Sequence, residues 1–134
     1  MIPGLIEEAL NAREYAYVPY SHFKVGAALL TDDGVIYKGC NIENASYGAT
    51  NCAERTAFFK AVSEGKHAFK AIAVVGGREG EEIADYAFPC GICRQVMLEF
   101  CGSDFVVIVA KSVGDYKRYT LDEIIPCGFS SENL

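Results

Sequence analysis

The stretch Ala71-Ile72-Ala73-Val74-Val75-Gly76-Gly77 decides the fold. Its apolar run, rich in valine and isoleucine and closed by two glycines, reads as a strand buried on both faces. Such a strand needs helices to cover it, and the sequence supplies them on either flank. Upstream, Ala53, Ala57, Phe58, Ala61 and Val62 recur at helical spacing over about 51–64, with Gly65 as a stop. Downstream, a polar, acidic excursion (78–88) leads to Pro89 and a helix over about 91–101, stopped by Gly102. A second buried strand, 105–110, follows. Further out, residues 25–31 and 35–41 flank Asp32-Asp33-Gly34, whose Asp-Gly step is a hairpin signal. Leu5, Ile6, Ala9, Leu10 and Ala16 place an amphipathic helix after Pro3 that ends before Pro19. Thr120-Leu121-Asp122-Glu123 has the pattern of a capping box opening a short helix that Pro126 ends. The expected architecture is α/β: a mixed β-sheet with helices on both faces, in α/β/α layers, formed by residues 1–134 as one domain.

Composition narrows the function. A chain of 134 residues, 51% hydrophobic, buries roughly two-thirds of its unfolded surface and needs no disulfide staples. A formal charge of -6, from 12 basic and 18 acidic side chains, argues against gripping nucleic-acid phosphates. No apolar run approaches the roughly 20 residues of a membrane span, and Met1-Ile2-Pro3-Gly4 lacks a signal-peptide pattern. The six cysteines, at 40, 52, 90, 93, 101 and 127, are therefore expected in a reducing, cytoplasmic setting, where they serve more often as metal ligands or redox groups than as bridges.

Two cysteine groups fall at helix starts. Taken singly, Pro89-Cys90-Gly91-Ile92-Cys93 reads equally as a capped helix start or a redox dithiol, and Asn51 with Glu54 as a capping box. Together, Cys52, Cys90 and Cys93 supply the three protein ligands that a catalytic zinc needs while leaving one position open for water. Glu54 beside such a water is placed to move protons. A cation near the thiolates would offset their charge, and Arg55 and Arg94 are the candidates; for Arg94 an exposed helix side chain is the plainer reading. A closed four-thiolate structural site recruiting Cys40 or Cys101 and a metal-free dithiol both remain open at this point.

With these residues in place, the sequence resembles the zinc-dependent nucleoside and nucleobase deaminases, whose signature is His/Cys-x-Glu followed by Pro-Cys-x-x-Cys. More narrowly it is similar to the small homotetrameric cytidine deaminases. The likeness runs through Pro19-Tyr20-Ser21-His22-Phe23-Lys24-Val25-Gly26-Ala27-Ala28, Asn41-Ile42-Glu43-Asn44-Ala45-Ser46-Tyr47 and Cys52-Ala53-Glu54-Arg55-Thr56-Ala57. It continues through Pro89-Cys90-Gly91-Ile92-Cys93-Arg94-Gln95 to Pro126-Cys127-Gly128-Phe129. The resemblance implies hydrolytic deamination of cytidine and 2′-deoxycytidine in pyrimidine salvage, with zinc on Cys52, Cys90 and Cys93 and Glu54 as proton shuttle. It implies that Asn41 and Glu43 bind the ribose hydroxyls, Phe23 packs on the base, the Ala53 backbone contacts the base, and Arg55 neutralises the thiolates. It also implies that Tyr47 and Phe129 close sites from neighbouring subunits of a homotetramer. An antibiotic-like aminopyrimidine nucleoside is the alternative substrate. Phe88 departs from the pattern, standing where a small hydroxyl residue is common, and the 77–87 stretch is longer and more acidic than usual. His22 and His67 read as solvated surface, and Cys40, Cys101 and Cys127 as buried small hydrophobes.

Overall fold

The computed structural model describes all 134 residues. In chain order the elements are α1 (Ile2–Arg13), β1 (Phe23–Thr31), β2 (Ile36–Cys40), α2 (Ala53–Ser63), β3 (Phe69–Arg78), α3 (Gly91–Phe100), β4 (Val106–Ser112), β5 (Asp115–Thr120) and α4 (Leu121–Ile124). Short 3-10 turns cover Tyr47–Ala49 and Ser131–Asn133. The five strands form one sheet in the order β2-β1-β3-β4-β5; β3 and β4 are parallel and the other neighbours antiparallel. No helix is long and apolar enough to cross a membrane.

The expected mixed sheet with helices on both faces is what forms. Alternate residues of the strands feed two cores. Ala28, Leu30, Ala71, Ala73, Val75, Ile108 and Ala110 meet Leu5, Ile6 and Ala9 of α1. Ala27, Leu29, Ile72, Val74 and Val107 meet Ala53, Ala57, Phe58 and Ala61 of α2, Met97 of α3 and Leu121 of α4. The run at 71–75 is thus buried on both faces, and the strand extends beyond it at both ends. The helices sit unusually close to the sheet at two glycines. A methyl on Gly26 would lie 2.1 Å from the Ala9 carbonyl oxygen of α1, and one on Gly39 would lie 2.4 Å from that of Ala53 in α2.

Several boundaries differ from the sequence reading. The first helix stops at Arg13, because the chain beyond it is drawn into backbone pairing: Tyr17 N–H donates to the Asn41 carbonyl and Glu43 N–H to that of Tyr17. The fifth strand, β5, was not anticipated. It is an edge strand of charged and aromatic residues, mostly exposed, so it carries none of the apolar signal of β3 and β4. The stop at Gly65 and the box at Thr120 hold. Lys66 and Gly65 N–H groups donate to Ala61 and Val62 carbonyls, with Gly65 at φ 90°, and Thr120 and Glu123 exchange the reciprocal bonds.

Candidate active site

Because α2 precedes β3 and α3 follows it, the N-termini of both helices lie at the C-terminal end of β3. Cys52 is the N-cap of α2, Cys90 is the N-cap of α3, and Cys93 lies in the first turn of α3. The three sulfurs lie within 4.8 Å of one another, and those of Cys52 and Cys90 are 3.8 Å apart. Thiolates on a tetrahedral zinc at about 2.3 Å would be separated by about 3.8 Å, so the spacing fits that ion. No fourth cysteine joins them: Cys101 lies at the far end of α3, and no other metal-holding group of His, Cys, Asp or Glu forms elsewhere. The four-thiolate reading is thereby excluded. Neither N-cap thiol bonds a free N–H group of its helix, and the Asn51–Glu54 capping box does not form; Asn51 instead donates to Thr56 Oγ1 at 3.1 Å.

Electrostatics favour a cation among the sulfurs. The Cys52 thiol is drawn down to about 5, chiefly by the Cys93 thiol and also by Arg55, whose Nη2 donates to Cys52 Sγ at 3.2 Å. The Cys93 thiol, only 1% exposed, is pushed up by its hydrogen bond with Cys52 and by burial. Without a metal the pair therefore shares one negative charge, and a bound divalent ion would ionise both. Arg55 Nε is a buried donor with no partner, on the same guanidinium whose Nη2 bonds Cys52 Sγ. Arg94 is turned elsewhere: Nε donates to the Pro89 carbonyl at 2.8 Å and Nη1 to that of Ile124, tying α3 to α4. It is a half-buried tie, not the exposed side chain its spacing suggested.

Glu54 follows in the first turn of α2, 4% exposed. Burial pushes its carboxyl up to about 7, and the Cys52 thiolate adds to the shift while Arg55 opposes it. It lines a cavity of about 360 Å³ together with Cys52, Cys90, Phe23, Val25, Asn41, Thr50, Asn51, Ala53, Val74, Ala87 and Phe88. The candidate base-stacking residue Phe23 is 39% exposed at the mouth. Phe88 forms part of the wall, with its ring 5.8 Å from that of Tyr119 on β5.

The sugar-side candidates divide. Asn41 reaches the cysteine cavity, but its amide also fastens β1: Nδ2 donates to the Phe23 carbonyl at 2.9 Å, and Oδ1 accepts from Val25 N–H at 2.8 Å. Glu43 and Tyr47 line an adjoining cavity of about 330 Å³ with Tyr20, Ser21, Asn44 and Thr50, and Thr50 belongs to both. Tyr47 is 79% exposed, with its ring against Tyr20. Phe129 lines neither cavity; it is 61% exposed, and its carbonyl accepts from Gln95 Nε2 at 2.7 Å. Cys127, expected to be buried, is exposed in the same tail, while Cys40 and Cys101 are partly buried. Sequence reasoning missed Thr50, Val74 and Ala87, which carry no chemical signal and enter the site through their place on β3 and in the adjacent loops.

The description "cytidine and deoxycytidylate deaminase zinc-binding region" belongs to the family model that matches residues 3–109. A cytidine deaminase from Sporosarcina psychrophila is 55% identical over 133 residues, 99% of this chain and 94% of that one. Another from Halalkalibacterium halodurans is 53% identical over 130 residues, covering 97% and 95%. The crystal structure of cytidine deaminase from Burkholderia pseudomallei superposes with a TM-score of 0.85 at 49% identity, covering 94% of this chain and 97% of that one.

Proposed function

Because this chain belongs to the cytidine and deoxycytidylate deaminase family, we propose that it hydrolyses cytidine and 2′-deoxycytidine to uridine and 2′-deoxyuridine with release of ammonia. One arrangement carries the reading: three thiols spaced for a single zinc, with a buried carboxyl that lines the same largely apolar cavity as Cys52 and Cys90. Held by Cys52, Cys90 and Cys93, zinc supplies the Lewis acidity that makes water nucleophilic at neutral pH. Replacing a ring amine by oxygen also needs a base for the attacking water, a proton for ring nitrogen 3, and a further proton for the departing amine. Glu54 takes the first proton, returns it to nitrogen 3 as carbon 4 becomes tetrahedral, and then carries the hydroxyl proton to the leaving ammonia. A carboxyl whose proton affinity lies near neutrality suits both directions of transfer.

Around that centre Phe23 and Ala53 receive the flat base, and the sugar extends past Thr50 toward Asn41 and Glu43. Arg55 balances the thiolates. Tyr47 and Phe129 act across a subunit boundary, in a homotetramer with shared sites; the exposure of both rings and their absence from the lining of the cysteine cavity support this. The setting is cytoplasmic pyrimidine salvage. Zinc-loaded protein incubated with cytidine, 2′-deoxycytidine and cytosine should release ammonia from both nucleosides. Turnover of neither, alongside turnover of another aminopyrimidine nucleoside, would overturn the substrate assignment. Mixing inactive Glu54→Ala and Phe129→Ala subunits should restore part of the activity, and sedimentation of a fully active monomer would remove the shared site.

A further inference from the structure

His22 has an ordinary exposed side chain and an unusual backbone. Its φ is 58°, and Cys127 is the only other non-glycine residue with positive φ. The segment on either side of it serves two different cavities. Before the turn, Tyr20 and Ser21 N–H donate to Glu43 Oε1 at 3.0 and 3.1 Å, and Ser21 Oγ donates to Glu43 Oε2. After it, Phe23 enters the cavity beside Cys52 and Glu54, and its carbonyl accepts from Asn41 Nδ2 at 2.9 Å. His22 is fixed from both ends, its N–H donating to the Val18 carbonyl at 3.0 Å and its carbonyl accepting from Glu79 N–H at 2.7 Å. The imidazole adds little: Nδ1 stands 3.7 Å from Glu79 Oε1, with both side chains about half exposed.

We propose that His22 is a positioning residue whose left-handed backbone turns the chain so that Ser21 engages Glu43 while Phe23 enters the cysteine cavity. It thereby fixes the carboxylate on one side of the turn relative to the aromatic ring on the other. Calling these the sugar and base contacts rests on the function proposed above; the turn itself does not. The requirement falls on conformation and not on the imidazole. Glycine and asparagine adopt positive φ readily, whereas a β-branched residue is a genuine outlier there. Glu54 and the thiols are carried by the N-caps and first turns of α2 and α3, and no hydrogen bond ties them to residues 20–23, so failure of the turn should appear in substrate binding more than in proton transfer.

The test compares zinc-loaded His22→Gly, His22→Asn, His22→Ala and His22→Val, reading cytidine kinetics, zinc content and hydrogen exchange of the Tyr20 and Ser21 amides. Glycine and asparagine should keep kcat/KM within about twofold of the parent. Valine should raise KM about tenfold, hold kcat within about threefold, keep its zinc, and speed exchange at both amides about tenfold. Alanine should fall between, and is the variant to read if valine prevents folding. Parent-like KM and exchange in the valine or alanine protein would overturn the proposal, as would equal losses in the glycine and asparagine proteins. A parent that never turns over cytidine defeats the deaminase reading, while the exchange pattern still decides the role of His22.

Discussion

Replacing Gly39 by alanine tests whether the site depends on how closely α2 rides on the sheet. The added methyl would stand 2.4 Å from the Ala53 carbonyl oxygen, 2.6 Å from Ala57 N and 3.1 Å from Thr56 Cβ. Ordinary contact begins at 3.4 Å, so the first turn of α2 must retreat by about 1 Å. That turn carries Cys52, Ala53 and Glu54, and every atom met at close range is backbone or Cβ and cannot swing aside. Overpacking of this kind costs about 1–3 kcal/mol, and a 1 Å displacement of catalytic groups costs about 10²-fold in rate. Gly26→Ala is the control. Its methyl meets Ala9 O at 2.1 Å and Arg13 N at 2.5 Å, on α1 and on the opposite face of the sheet. Urea midpoints should fall by comparable amounts in both variants, while kcat/KM falls about 10²-fold for Gly39→Ala and less than about threefold for Gly26→Ala. Parent-like activity in a folded Gly39→Ala protein, or an equal loss in Gly26→Ala, would refute the reasoning.

Glu54→Gln should lower kcat by about 10²–10⁴ while elemental analysis finds zinc unchanged. The same substitution reports on pH. The Glu54 carboxyl binds its proton more tightly folded, at about 7 against an ordinary 4.5, so the stability it contributes is complete below about pH 4 and is lost as pH rises through 7. Metal-free Glu54→Gln should therefore gain on metal-free parent by an amount that grows to on the order of 3 kcal/mol above about pH 8, read from urea midpoints across pH. Single replacement of Cys52, Cys90 or Cys93 by serine should strip zinc, whereas Cys40→Ser and Cys101→Ser should retain it; zinc loss at a fourth position would contradict the three-ligand site. Arg55→Gln removes the donor to Cys52 Sγ and should weaken zinc affinity about 10–100-fold in competition with a chelator.

The parts of this molecule legible in the sequence are those whose signal is local or whose chemistry is rare. Hydrophobic runs announce β3 and β4, because both faces of those strands are buried. Cys52, Glu54, Cys90 and Cys93 announce themselves through residue types that seldom combine at such spacing, and the fold brings them together. Polar edge strand β5 was illegible because its pairing to β4 is made by backbone groups, which composition does not record. Arg94 was misread for a related reason: its carbonyl partners, Pro89 and Ile124, come together only once α4 has folded against α3. Glu43 was expected to serve a substrate hydroxyl, yet its three bonds to the Tyr20–Ser21 backbone and hydroxyl accompany the left-handed turn at His22, which a sequence does not display.

Cysteine stands at the N-cap of both α2 and α3, where serine, threonine or aspartate would ordinarily satisfy the free N–H groups, and neither thiol does so. Each missing cap forgoes about 1 kcal/mol of helix stability. Zinc, by drawing both cysteines onto one centre, ties together the two ends that lack a bond of their own, and so replaces two local caps with one shared clasp. Removing the metal should therefore weaken the first turns of α2 and α3, and a chelator should fray those turns while the sheet beneath them stays intact. Metal occupancy should thus govern the order of these two turns, so that a protein short of zinc would present a loosened entrance rather than an intact but idle site.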